Sequence, residues 1–236
     1  MGKVCKAPED IPGMPKEISD FFGKSVDAVA EEMIFDDYCF RRAINEFGSI
    51  FPKRNFDGAQ IFRDVTGLNT QLFIAYLKEN NPAVDEVSLS KQALMAGGGI
   101  KNPDWMIHRT VRAEFEFYEV KPDSSSSKSK GRAKILALIA LCGLNNLPYV
   151  PGLRYSPVDE EKNLWIETKG FIETEVTLRW SRIEPGLIAY QVCVQRRARN
   201  PLPKPVAKAV DETAKLLLII IIVAGAAGGA PVPAPL

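Results

Sequence analysis

Residues 103–122 read PDWMIHRTVRAEFEFYEVKP, and the way this stretch alternates decides the fold. Trp105 to Val111 and Ala113 to Val120 have the composition of two strands, the second with β-branched or aromatic residues at half its positions. Side chains alternate faces along a strand, so Phe115, Phe117, Glu119 and Lys121 share one side. A carboxylate and an ammonium on a half-apolar face are costly unless the one coordinates something and the other is put to use. Asp104 stands at the start of the first strand. If the two strands pair through a turn near Arg109 to Arg112, Asp104 lies opposite the Glu119 end.

The pattern changes on either side of this stretch. After it comes Asp123 to Lys130, DSSSSKSK, which reads as a polar loop. Gly131 then opens a helix whose apolar face is Ile135, Leu138, Ile139 and Cys142, closing at Gly143 to Asn146. Leu147 to Pro157 is a turn-rich link with three prolines. Phe171 to Trp180 alternates with Ile172, Thr174, Val176, Leu178 and Trp180 on one face; Glu184-Pro185-Gly186 turns it back into a strand from Leu187 to Gln195. Before the stretch, residues 1–24 are rich in Pro and Gly and wrap the surface. Ser25 reads as an N-cap for a helix running through Val26, Val29, Met33, Phe40, Ile44 and Phe47, ended by Gly48 and Pro52. A second helix is expected over Thr70 to Asn80 and a short third over Ser88 to Ala96, before the breaker Gly97-Gly98-Gly99. The expectation is an α+β chain: a helical N-terminal region (1–95), a catalytic core of mixed sheet flanked by helices (96–203), and a helix with a hydrophobic C-terminal tail (204–236).

In that tail, Leu216 to Ala230 is an uncharged apolar run of fifteen residues, short of the ~20 needed to span a bilayer. It reads as a buried segment or as a transient membrane contact. The N-terminus has no apolar core of a signal peptide, so the expectation is synthesis and residence in the producer's cytoplasm. The 236 residues carry 30 basic and 29 acidic groups, which excludes a histone-like polybasic protein, but residues 101–135 carry 8 basic against 5 acidic. Four scattered cysteines, Cys5, Cys39, Cys142 and Cys193, exclude a zinc ribbon or CxxC redox site. Cys39, Cys142 and Cys193 read as reduced core residues. The single histidine, His108, excludes mechanisms needing two imidazoles, and no nucleophile elbow accompanies it.

Two carboxylates brought together by the strands, Asp104 and Glu119, would hold Mg²⁺ or Mn²⁺ through oxygen. Lys121 would orient or deprotonate a water, or stabilise charge on a phosphate. Pro103-Asp104…Glu119-Val120-Lys121 resembles the PD-(D/E)XK motif of restriction-endonuclease-like nucleases. The longer phrase from Tyr118-Glu-Val-Lys-Pro122 through Gly131-Arg-Ala-Lys134 to GLIAYQVCV is similar to nuclease toxins of bacterial type VI secretion and related polymorphic toxins. The resemblance covers residues 100–196. It implies a restriction-endonuclease-like mixed sheet, a divalent metal held by Asp104 and Glu119 with help from the Val120 carbonyl, and hydrolysis of DNA phosphodiester bonds. It further implies delivery by a specialised secretion system and a cognate immunity protein. Many members supply a further Glu from an upstream helix; Glu86, Glu46 and Glu32 are candidates and stay open. Lys128, Lys130, Arg132 and Lys134, at or before the helix start, are the expected phosphate contacts. Two other readings remain: a membrane-active toxin acting through its tail, and a housekeeping or phage repair nuclease of the same fold.

Overall fold

The computed structural model describes residues 2–42, 59–64, 70–95 and 102–198. The chain is α+β. Its strands are β1 (Val4–Lys6), β2 (Ala59–Arg63), β3 (Trp105–Arg109), β4 (Glu114–Pro122), β5 (Val150–Pro151), β6 (Glu160–Lys169), β7 (Ile172–Glu184) and β8 (Leu187–Ala198). Its helices are α1 (Met14–Phe22), α2 (Val26–Arg41), α3 (Thr70–Asn80), α4 (Glu86–Met95) and α5 (Ser125–Leu144). The mixed sheet runs β2-β3-β4-β8-β7-β6, with β1 paired to β8 and β5 to β4. β3 is antiparallel to β2 and β4, whereas β8 runs parallel to β4. That parallel step requires a crossover, and α5 lies within it. The chain divides into two units; residues 2–166 and 175–195 carry the core described next, and the described part of the other is 167–174 and 196–198.

The period-2 alternation of β4 sorts its side chains between two helical layers. Tyr118 and Val120 pack with Trp105, Ile107, Ile188 and Tyr190 against α1 and α2. Phe117 packs with Met106 and Leu187 against α3, α4 and α5. A strand covered on both faces is buried almost throughout, and β4 is. Its odd-numbered polar residues, Glu119 and Lys121, therefore face the α5 side, in keeping with the shared face read from the sequence.

Several local expectations need correction. The serine run is the first turn and a half of α5, with Ser124 as N-cap accepting from the Ser127 N–H at 3.3 Å. Serine competes for backbone hydrogen bonds, so a run of it favours a cap and helix start as readily as a loop. Gly131 consequently lies inside the helix, and Lys134 well inside it, rather than at its start. Ile139 points outward, at 42 % exposure, while Leu141 takes its place in the core. Ser25 caps α2 as expected, but the helix ends at Arg41, and residues 43–58 lie outside the described residues. Residues 2–24 contain β1 and α1, and β2 arises within the stretch read as helical and pairs with β3. β6 is a strand where the sequence predicts no element, because its apolar residues Leu164, Trp165 and Ile166 are consecutive and do not alternate with polar ones. The apolar tail, residues 204–236, lies outside the described residues; among the described ones no helix is long and apolar enough to cross a membrane.

Cys193 is the clearest reversal. β1 lies antiparallel to β8 with Cys5 directly opposite Cys193, and the two form a disulfide across a separation of 188 residues. Cys39 and Cys142 are buried and take no part in the disulfide, as the reading of core cysteines requires. A three-residue edge strand has little intrinsic hold on the sheet, and the bond restrains it by removing loop freedom from the unfolded chain. The chain-entropy relation gives roughly 5 kcal/mol for a loop of this length. Reduction, or Cys5→Ser, should lower the urea midpoint accordingly, as measured by equilibrium denaturation with and without reductant. An unchanged midpoint would show that the bond contributes nothing.

Candidate functional site

The β3–β4 register places Trp105 opposite Tyr118, and the Asp104 N–H donates to the Tyr118 carbonyl at 3.1 Å. Asp104 thereby stands level with Glu119. The Val120 N–H donates to Asp104 Oδ2 at 2.5 Å, tying the carboxylate of one strand to the backbone of the other. Lys121 Nζ is 2.5 Å from Glu119 Oε1 and 3.8 Å from Asp104 Oδ2, and it donates to the Val120 carbonyl at 2.8 Å. One ammonium thus faces the three oxygen groups singled out in the sequence. A second ammonium, Lys134 of α5, stands 2.6 Å from Glu119 Oε2 and 3.2 Å from Asp104 Oδ1. Glu119 is fully buried, yet its oxygens make no directed hydrogen bond. The two close ion pairs hold it between the lysines.

The fifth member is Glu31 of α2, half-buried. Burial first, then the negative charge of Asp104, pushes its carboxyl up to about 9. Burial and Asp104 likewise push Glu119 up to about 7, with Lys134 and Lys121 opposing. Burial would raise Asp104 too, but Lys134, Lys121 and the Val120 N–H outweigh it and the group lies below its ordinary value. For both lysines burial acts downward and is outweighed by Asp104 and Glu119, so each ammonium is held above its ordinary range. Three carboxyls thus crowd two ammoniums, and protons are retained to balance the charge.

Asp104, Glu119, Val120 and Lys121 are therefore brought together. The four basic residues are not one patch. Lys134 belongs to the carboxylate cluster. Lys128 is 2.7 Å from Asp123 Oδ1, and the Arg132 Nε donates to Glu184 Oε1 at 2.7 Å. Lys130 is exposed with no carboxylate partner among the described residues. Of the upstream glutamates, Glu32 pairs with Lys24 at 2.5 Å on the surface, Glu86 opens α4, and Glu46 lies outside the described residues. Glu31 is not among the candidates read from the sequence, although a signal for it exists. It precedes the fully buried Ile34 and Phe35 by three and four residues, which sets it on the inward stripe of α2; Glu32 precedes exposed Asp36 by four. His108 accepts or donates at Nδ1 with Tyr149 Oη, 2.9 Å away, and packs edge-on to Phe115, away from this cluster's partners.

Hard oxygen donors of this kind suit Mg²⁺ or Mn²⁺. Two carboxylates and one carbonyl already face a single cationic atom, and Glu119 has two oxygens without directed bonds, so the donor chemistry fits a divalent ion completed by water. No three His, Cys, Asp or Glu side chains among the described residues form a metal-holding group by themselves. Comparison with protein-family models, curated proteins and solved structures yields no match.

Because Glu31 keeps its proton in the folded chain up to about 9 but titrates near 4.5 when unfolded, the folded state binds more protons between these values. Its contribution is present below 4.5 and is lost as pH rises through 9. In EDTA, the melting temperature of Glu31→Gln relative to the parent protein should therefore climb as pH rises across that window. A constant difference would show that Glu31 ionises freely.

Proposed function

We propose that the chain is a metal-dependent nuclease of the PD-(D/E)XK type that hydrolyses DNA phosphodiester bonds and serves as an antibacterial toxin. One observation carries the reading: Asp104 and Glu119, with the Val120 carbonyl, converge on one cationic atom, with Lys121 supplying it. The order of elements supports it as well, since the motif strands lie in a mixed sheet with helices on both faces. Asp104, Glu119 and the Val120 carbonyl would hold the ion, which supplies Lewis acidity and an activated water when bound. Lys121 and Lys134 are ion-paired ammoniums, and they act on phosphate charge as donors rather than as bases. Glu31, which keeps its proton up to about 9, would act beside the pair of carboxylates as a proton donor rather than as a base.

Lys130, the half-buried Lys128 and the exposed Arg132 line the first half of α5 and would meet the backbone of the nucleic acid, exchanging Asp123 and Glu184 for phosphates. Delivery into a target cell fits the Cys5–Cys193 bond, because such bonds persist outside reducing cytosol. A cognate immunity protein would protect the producer.

Purified protein should nick plasmid DNA with Mg²⁺ and not with EDTA, and Asp104→Ala, Glu119→Ala and Lys121→Ala should each lower the rate at least a hundredfold while circular dichroism stays native. Cleavage by Asp104→Ala with unchanged metal dependence would sink the assignment. Neutralising Lys128, Lys130 and Arg132 together should lower the log–log salt slope of DNA binding by about 0.9 for each phosphate no longer neutralised. An unchanged slope would place the DNA elsewhere.

A further inference from the structure

Gly131 lies in the interior of α5, at an ordinary helical conformation, where glycine costs about 1 kcal/mol relative to alanine. No turn or positive φ demands it. A Cβ there would stand 2.7 Å from Leu187 Cδ1 and 3.1 Å from Lys121 Cγ. Leu187 is fully buried beneath α5, so its terminal methyls can shift only against packed neighbours. The Lys121 stem is fixed at its far end by Glu119, Asp104 and the Val120 carbonyl. One turn further along the same helix, Lys134 reaches Glu119 and Asp104.

We infer that Gly131 is a positioning residue: its missing side chain lets α5 seat against β4 and β8 closely enough to aim both Lys121 and Lys134 at the carboxylate pair. Filling that space pushes the Lys121 stem aside at Cγ by a few tenths of an ångström, which strains or loosens the ion pairs that hold its far end. The consequence for rate rests on the nuclease reading, whereas the consequence for the lysines does not. Misplacing a catalytic group by about 1 Å can cost on the order of a hundredfold.

The test is Gly131→Ala in the full chain, read in two ways. The first is the labelling rate of Lys121 and Lys134 by an amine-reactive reagent, resolved by peptide mass spectrometry, with exposed Lys162 as internal reference. The second is plasmid cleavage kinetics with Mg²⁺. Labelling of Lys121 should rise several-fold as its ion pairs loosen, and kcat should fall ten- to a hundredfold with KM little changed. Equal labelling and equal kcat would overturn the proposal. Should Gly131→Ala fail to fold, Gly131→Ala combined with Leu187→Ala removes the tighter clash and leaves the contact with Lys121. That double variant must still show faster Lys121 labelling than Leu187→Ala alone, and parity between them overturns the proposal. If the parent protein cuts no DNA, the nuclease reading fails while the labelling comparison still decides the role of Gly131.

Discussion

A fully buried glutamate between two lysines is the constraint around which the rest is arranged. Glu119 occupies the central strand of a sheet covered on both faces, where an isolated carboxylate would be expelled or protonated. It is tolerated because Lys121 comes from its own strand and Lys134 from the crossover helix, each within ion-pair distance. That arrangement requires β8 to run parallel to β4, since only a crossover delivers a helix over the strand that precedes it. It also requires Asp104 to be tied to the Val120 N–H, which fixes the register of β3 against β4 at the point where the charges meet. A buried ion cluster of this kind contributes little to stability by itself, because desolvation offsets most of the Coulomb gain. Stability therefore does not explain its place at the centre of the sheet.

The surrounding core makes the cluster rigid. On the α2 side, Tyr118 stacks on Trp105 with centroids 5.2 Å apart, and Tyr38 and Tyr155 close the same aromatic group. The Tyr118 hydroxyl donates to Glu116 at 2.6 Å and accepts from the Tyr155 N–H at 3.1 Å, which draws the proline-rich link after α5 across the sheet. Tyr155 in turn donates to Asp37 of α2 at 2.7 Å. The helix that carries Glu31 is thereby bonded to the strand that carries Glu119 through side chains outside the charged cluster. Held so, three carboxyls stay close although their charges repel, and the two lysines leave the site short of positive charge whenever all three ionise.

Much of this is legible in the sequence. The alternation of residues 105–120 shows two strands and which side chains share a face, because a strand's period of two is a local property of the backbone. The shared face of Glu119 and Lys121 follows from it, and Asp104 from the pairing of the two strands, whereas the Val120 carbonyl enters only as what the motif resemblance implies; the Glu184-Pro185-Gly186 turn is readable from its Pro-Gly pair. Other elements are hidden where local signals are weak or double-valued. The serine run suits a helix start as well as a loop, and β6, with its apolar residues in one consecutive run, has no alternation to read.

What the sequence by itself determined is therefore the strand pair, its register and the motif that pairing creates, since all three depend on neighbours within about twenty residues of one another. The tertiary structure alone decided which glutamate joins them, that Lys134 turns inward to the carboxylates and not outward, and that Cys5 meets Cys193. Glu31 and Glu32 are adjacent and chemically identical; they differ only in which of them the packing of α2 turns toward the sheet. Such choices are made by contacts between residues far apart in the chain: the spacing of Glu31 to Ile34 and Phe35 marks an inward position on α2 but does not say what the side chain meets there.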